Sequence, residues 1–299
     1  MPTIYTHITS NKRRSWILMA VCLIVLIGIG YAIDQIEGTG GYFWIIIAFI
    51  YALVSALIGY YSGDKIALWT SGAIPVTKEQ NPYVVRMVEN LAITSGLPTP
   101  KVYIIPDEDI NAFATGRDPK HSSLAVTQGA IAKLANEELE GVLAHEMSHI
   151  GNYDIRYMTL VIVLVGTIMV LSDIFWRTRF IGGRRGGRDS GGNILMIVGL
   201  LLLILSPIIA QLIRLAVSRK REYLADATGA LLTRYPEGLA RALEKIKNQG
   251  ARIERATRST AHLYIANPLG GGVTNLFSTH PPIEKRVAAL RQMGSINNQ

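Results

Sequence analysis

Cysteine is nearly absent from this chain. Cys22 is the only one, set within an apolar stretch, so an intramolecular disulfide and a thiolate metal site are both excluded. Any transition-metal site must draw on carboxylates and on the six histidines, at 7, 121, 145, 149, 262 and 280. Charge is also scarce: 17% of residues, against about 25% in soluble domains. With 49% hydrophobic residues and a mean hydropathy of +0.27, that scarcity excludes a disordered chain and argues against an ordinary soluble globule. The charge is unbalanced, 30 Lys+Arg against 22 Asp+Glu, a net +8. In so apolar a chain such an excess more often flanks membrane segments than binds nucleic acid. Internal repeats are lacking, and 299 residues impose no limit on core size.

What is present first is hydrophobic length. Residues 16–33 and 42–61 are uncharged runs of 18 and 20, and a helix needs about 20 apolar residues to cross a bilayer. The first run exceeds the h-region of a signal peptide and is read as an uncleaved anchor. Lys12, Arg13 and Arg14 precede it, which places residues 1–15 in the cytoplasm. The linker 34–41 carries Asp34 and Glu37 and no cation, so 16–61 is expected to be a transmembrane hairpin with an outside turn. Two further apolar runs, 158–172 and 194–213, frame a loop with arginines at 177, 179, 184, 185 and 188. Hydropathy favours a second spanning hairpin over 157–213. The basic loop would then lie outside, against the positive-inside bias, so a hairpin that dips in or packs on protein stays open. The Arg/Gly loop 177–193 has little aromatic interleaving, which favours contact with lipid phosphates over RNA.

The polar remainder, 62–156 and 214–299, is expected to form one cytoplasmic domain in two parts. Apolar spacing predicts helices over 75–96, from Asn136 through His149, and over 218–232, 236–249 and 281–293. Asn136 is the expected helix cap. Residues 101–105 and 122–127 read as strands, with Asn111–Gly116 between them.

Residues 145–149 read His-Glu-Met-Ser-His. On a helix the i, i+4 spacing puts both imidazoles on one face, able to hold one metal ion, with Glu146 beside it as a base for a metal-bound water. Zinc would lower the pKa of that water towards 7 and polarise a peptide carbonyl. The bland alternative is a surface helix with two solvated histidines. Val142, Leu143, Ala144 and Ile150 press the pair into an interior, where its nitrogens need partners. A catalytic zinc wants a third protein ligand, and the position six beyond His149 is Ile155, which cannot serve. Glu222 and Asp226, also i, i+4, are the candidates: one can ligate while the other orients a histidine.

LAHEMSHIGNYDIR, then REYLADATGA, then FSTHPPIEKR, after two N-terminal apolar runs, resembles the HtpX-type membrane zinc endopeptidases. These are relatives of the CAAX prenyl proteases in the HExxH…E (gluzincin) class, and the resemblance covers essentially the whole chain. It implies a mainly α, multi-pass membrane protein with a cytoplasmic α+β zincin-like domain and a small β-sheet. It further implies one Zn2+ per chain on His145, His149 and Glu222, and Glu146 as general base and acid. Asp226 would orient a ligand histidine, and His280, held before two prolines, would stabilise the oxyanion. NAFATG is similar to the family's edge strand, with Asn111 as the substrate contact. The implied substrates are misfolded membrane proteins or cytoplasmic loops, with no nucleic-acid partner. Two rivals stand beside this reading. A CAAX-type protease expects more spanning helices, and a non-catalytic metal scaffold expects a replaced Glu146 or ligand.

Overall fold

The computed structural model describes residues 4–37, 42–164, 219–249, 263–265 and 281–296. The second hairpin's Arg/Gly loop and its run 194–213 lie outside the described residues, as do His262 and His280.

Two long helices lead, α1 (Ile4–Glu37) and α2 (Phe43–Thr70). α1 runs past the expected end at residue 33. The reason is Asp34, which is buried and accepts from the backbone N–H groups of Trp44 and Ile45. A residue expected in a solvent turn is instead a carboxylate at the start of the next helix, where orphan donors favour it. α2 is long and apolar enough to cross a membrane, and it continues beyond residue 61 as one rod.

The expected helix over 75–96 is shorter. Pro75 belongs to β1 (Ile74–Pro75), and α3 is Pro82–Ser95. Asn81 decides the start: its side chain accepts from the Val84 N–H, and Pro82 opens the first turn. Gly96, with φ +66°, closes it. Then come β2 (Lys101–Ile105), β3 (Ala112–Asp118), β4 (His121–Thr127), α4 (Gln128–Lys133) and α5 (Asn136–Gly151). Asn136 is not the cap of α5. Ala135 occupies that position, its N–H held by the Glu138 carboxylate, while Asn136 accepts from the Tyr83 hydroxyl. Residues 154–164 are helical, followed by α6 (Arg219–Thr233), α7 (Pro236–Gln249) and α8 (Ile283–Ile296).

The sheet order is β1-β2-β4-β3, with β2 and β4 parallel and the other pairs antiparallel. β3 is therefore an edge strand. α5 lies against it, almost wholly buried from Glu138 to Ile150. The core under α5 joins Leu91 of α3, Leu124 of β4, Leu143 and Met147 of α5, Leu243 of α7 and Leu290 of α8. A second cluster joins Leu18 of α1, Ala67 and Leu68 of α2, Phe113, and Met158 and Val161 of the run 154–164. The described chain is thus mostly helical, with a small mixed sheet and apolar helices at one end.

Candidate active site

α5 carries its HEMSH residues inward because Leu143, Met147 and Ile150 bury their side chains around them; all lie below 2% exposure. His145, Glu146 and His149 are 1%, 2% and 5% exposed. α6 crosses close by. A Cβ on Gly229 would come 3.0 Å from the His145 backbone nitrogen, so only a bare backbone lets α6 approach this near. That approach puts Glu222 and Asp226, both 1% exposed, on the histidines.

The Nε2 atoms of His145 and His149 are 3.2 Å apart, and Glu222 oxygens lie 3.8 Å and 3.6 Å from them respectively. A tetrahedral ion with bonds of about 2.05 Å separates its ligand atoms by about 3.3 Å. Two imidazoles and a carboxylate at these spacings fit a divalent metal. In the absence of an ion the same two nitrogens can share one proton as a hydrogen bond, and an ion would take that proton's place.

Each histidine turns its other nitrogen to a carboxylate. His149 Nδ1 lies 3.0 Å from Asp154 Oδ2. His145 Nδ1 lies 3.0 Å from Asp226 Oδ1, with the ring N–H bent away from a straight hydrogen bond. Such partners select the tautomer that leaves Nε2 for a metal. Sequence reasoning missed Asp154, although it stands within the quoted HEMSHIGNYDIR stretch. Nor does the sequence point to Arg286, which is fully buried on α8 and bidentate to Asp226 at 2.8 and 2.7 Å, with a third donor on the Ile265 carbonyl at 3.2 Å. No local pattern marks Arg286 as more than a surface ion-pair residue. A third surprise is Asn11 of α1, which donates to Asp154 Oδ1 at 2.7 Å and ties the N-terminal helix to the His149 partner.

Electrostatics follow this wiring. Burial works to raise Asp226, but the Arg286 charge and hydrogen bonds overcome it and hold the carboxyl at about 2. Burial pulls His149 down, yet the Asp154 hydrogen bond and the Glu222 charge outweigh it and hold the ring at about 9. His145 is pulled below its ordinary value, mainly by burial. Burial pushes Glu146 up to about 8, with Glu222 adding to the rise and His149 opposing it. A divalent cation on the three ligand atoms would draw Glu146 back towards the carboxylate.

The backbone of Ala114 in β3 is near enough to Glu146 to work against its upward shift, so the edge strand runs beside the candidate base. Asn111 lies just before β3 and is 2% exposed, its side-chain oxygen accepting from the Ala112 N–H. The Ala112 carbonyl takes the Ile265 N–H, so one outward group of the strand is already engaged. The structure thus brings together His145, Glu146, His149, Glu222 and Asp226, with Asn111 two residues before Phe113 on the neighbouring strand. His280 lies outside the described residues.

The profile of peptidase family M48 matches residues 78–294, which span every residue of this cluster except Asn11. A protease HtpX homolog from Dictyoglomus thermophilum is 49% identical over 292 residues, covering 98% of this chain and 95% of its own. One from Caldanaerobacter subterraneus subsp. tengcongensis is 44% identical, covering 97% and 98%. Among solved structures, S. mikatae Ste24p superposes with a TM-score of 0.51 at 21% identity, covering 93% of this chain and 66% of that one, a likeness of fold. Matched over nearly its whole length and carrying a metal-binding cluster on its two central helices, the chain belongs to peptidase family M48, among the HtpX-type membrane metalloproteases.

Proposed function

We propose that the chain is a zinc endopeptidase whose single Zn2+ is held by His145, His149 and Glu222, and that it cleaves misfolded or damaged membrane proteins from the cytoplasmic side. The observation that carries this reading is the meeting of two histidine Nε2 atoms and one Glu222 carboxylate at 3.2–3.8 Å. When bound, zinc would supply Lewis acidity to the scissile carbonyl and acidity to a water.

The chain's own residues do the rest. Glu146 takes a proton from the attacking water and later delivers it to the leaving amine, which its place beside His145 supports. Asp226 and Asp154 hold the two imidazoles in the ligating tautomer, and Arg286 keeps Asp226 ionised. β3 lies alongside as the strand on which an extended substrate aligns, with Asn111 at its entry. His280, before Pro281-Pro282, would donate to the oxyanion.

Residues 16–61 are read as a hairpin of two spans, with 62–156 and 214–299 as the two parts of the catalytic domain and 157–213 as a second hydrophobic hairpin. Support comes from α2, from Lys12, Arg13 and Arg14 before the first run, and from the cation-free turn 34–41. Substrates of this kind need no nucleic acid.

The test compares parent and Glu146→Gln on an unfolded reporter, with and without a chelator. The variant is expected to keep one zinc per chain and to lose cleavage by 10²–10⁴-fold, the usual range for a removed general base. Cleavage above a few per cent of the parent rate, or cleavage indifferent to the chelator, refutes the assignment.

A further inference from the structure

Away from the metal cluster, a cavity of about 300 Å³ opens between α2, the β3–β4 hairpin and the run 154–164. Five cations line it, Lys65, Lys101, Arg117, Lys120 and Arg156, against one carboxylate, Asp64. Among the described residues no carboxylate lies within ion-pair reach of Lys65, Lys101, Lys120 or Arg156. Arg117 leans towards Asp118 only at 3.7 Å, and that carboxylate is already held by His121 at 2.8 Å. The two guanidinium groups instead face tyrosine rings of α2, Arg117 over Tyr61 at 5.2 Å and Arg156 over Tyr60 at 5.7 Å. So much like charge in one small cavity is self-repelling unless an anion fills it.

The level of the cavity along α2 indicates which anion. The continuous exposed apolar face of α2 runs from Phe43 to Tyr61, one turn before Asp64 and Lys65, with Trp69 exposed by itself two turns farther on. At 1.5 Å per residue that face is about 28 Å long, close to the roughly 30 Å of a bilayer's hydrocarbon. Trp16 of α1 stacks on Tyr60 with ring centroids 6.2 Å apart, so aromatic rings of both helices mark the same plane, as they do at a membrane interface. Lys12, Arg13 and Arg14 precede Trp16 by one turn. The cations therefore sit where phospholipid headgroups sit.

We infer that this cavity is a phosphate site that takes the headgroup of an anionic phospholipid. The guanidinium and ammonium groups meet the phosphate, and the cavity is large enough for the glycerol beside it. A zwitterionic headgroup is disfavoured because its choline cation would lie among the lysines. The inference rests on α2 crossing the bilayer and is independent of the proteolytic chemistry.

The test uses the full chain in neutral detergent, with native mass spectrometry reading retained lipid. Phosphatidylglycerol, phosphatidylcholine and inorganic phosphate are titrated separately. Each interfacial lysine contributes about 5-fold to anionic lipid affinity, so Lys65→Ala with Lys101→Ala should lower phosphatidylglycerol retention by about 25-fold. The Arg pair at the same two positions should restore it, and Arg241→Ala, on exposed α7 surface, should change nothing. Equal retention of both lipids by the parent, or undiminished retention by the double Ala variant, overturns the inference. Lysine-dependent binding of inorganic phosphate without phosphatidylglycerol retention overturns the lipid source. A raised KM for acidic peptides with lipid retention unchanged assigns the cavity to substrate instead, which also overturns it. Glu146→Gln should retain lipid like the parent, so failure of the protease reading would not imitate failure here. Carbonate extraction of the parent from membranes tests the α2 span separately.

Discussion

Arg286 offers the sharpest test of how the site is held. Its guanidinium is fully buried and gives two hydrogen bonds to Asp226 and one to the Ile265 carbonyl. Arg286→Met keeps the apolar stem and removes the charge. Asp226 is then a buried carboxylate whose remaining close partner is His145 Nδ1 at 3.0 Å. Removing one partner of a buried pair costs about 3–5 kcal/mol, and an orphaned carbonyl about 1–3 kcal/mol. These losses overlap at one site, so about 4 kcal/mol is expected, and the charge term dominates. At about 2–4 °C per kcal/mol for a domain of this size, the midpoint of thermal unfolding should fall by about 8–16 °C. Arg286→Met with Asp226→Asn removes the stranded charge together with its partner, and at least half the lost stability should return. Cleavage should not return, because an amide oxygen orients His145 less strongly than a carboxylate; a loss of about 10–100-fold is expected. A double variant as unstable as the sum of its singles, or a single variant within about 1 kcal/mol of the parent, refutes the reasoning. Arg291 is the control. Although bonded to both Glu237 and Glu244, its side chain is 46% exposed and its charge is screened by water, and Arg291→Ala should leave the unfolding midpoint nearly where it is in the parent.

Three further outcomes are expected. Glu222→Ala should lower zinc content and cleavage together, whereas Asp226→Ala should keep most of the metal and lose about 10–100-fold in rate; the reverse order, read by metal analysis, would exchange the two roles. Asp154→Ala should weaken zinc affinity by a similar 10–100-fold, and Asn11→Ala, which removes the 2.7 Å bond to Asp154 together with a 3.0 Å bond to the Asn152 carbonyl, should do so more mildly; metal titration showing no change in either would deny α1 its link to the site. With Cys22 replaced by Ser, a cysteine at Thr39 should react with an impermeant thiol reagent from outside intact cells, and one at Asn136 only after lysis; labelling of Asn136 from outside would reverse the orientation.

The metal motif was legible because its geometry is local. HEMSH on a helix puts two imidazoles on one face whatever surrounds it, and the apolar flanks already announced burial. The two N-terminal apolar runs were legible as helices for the same reason, since length and lack of charge need no tertiary partner; their ends moved, where Asp34 turned back to cap α2. Spacing leaves Glu222 and Asp226 as alternatives that only the resemblance separates, because the 72 residues between His149 and Glu222 carry no distance information. The helix over 75–96 was overdrawn because apolar spacing does not see the Asn81 cap that starts α3 at Pro82. Asp154 shows the limit most clearly. In a continuous helix, a residue five beyond His149 lies about 140° round the axis and could not touch it. α5 ends at Gly151, and Tyr153 takes a left-handed φ of 60°, which turns the chain so that Asp154 comes back onto the ring. Arg286 lies 141 residues from His145, and nothing in its neighbourhood distinguishes a fully buried arginine from a solvated one. Its place was decided by the packing of α8 against α6, because a charge at the centre of a fold is tolerated only where a carboxylate has already been buried to meet it.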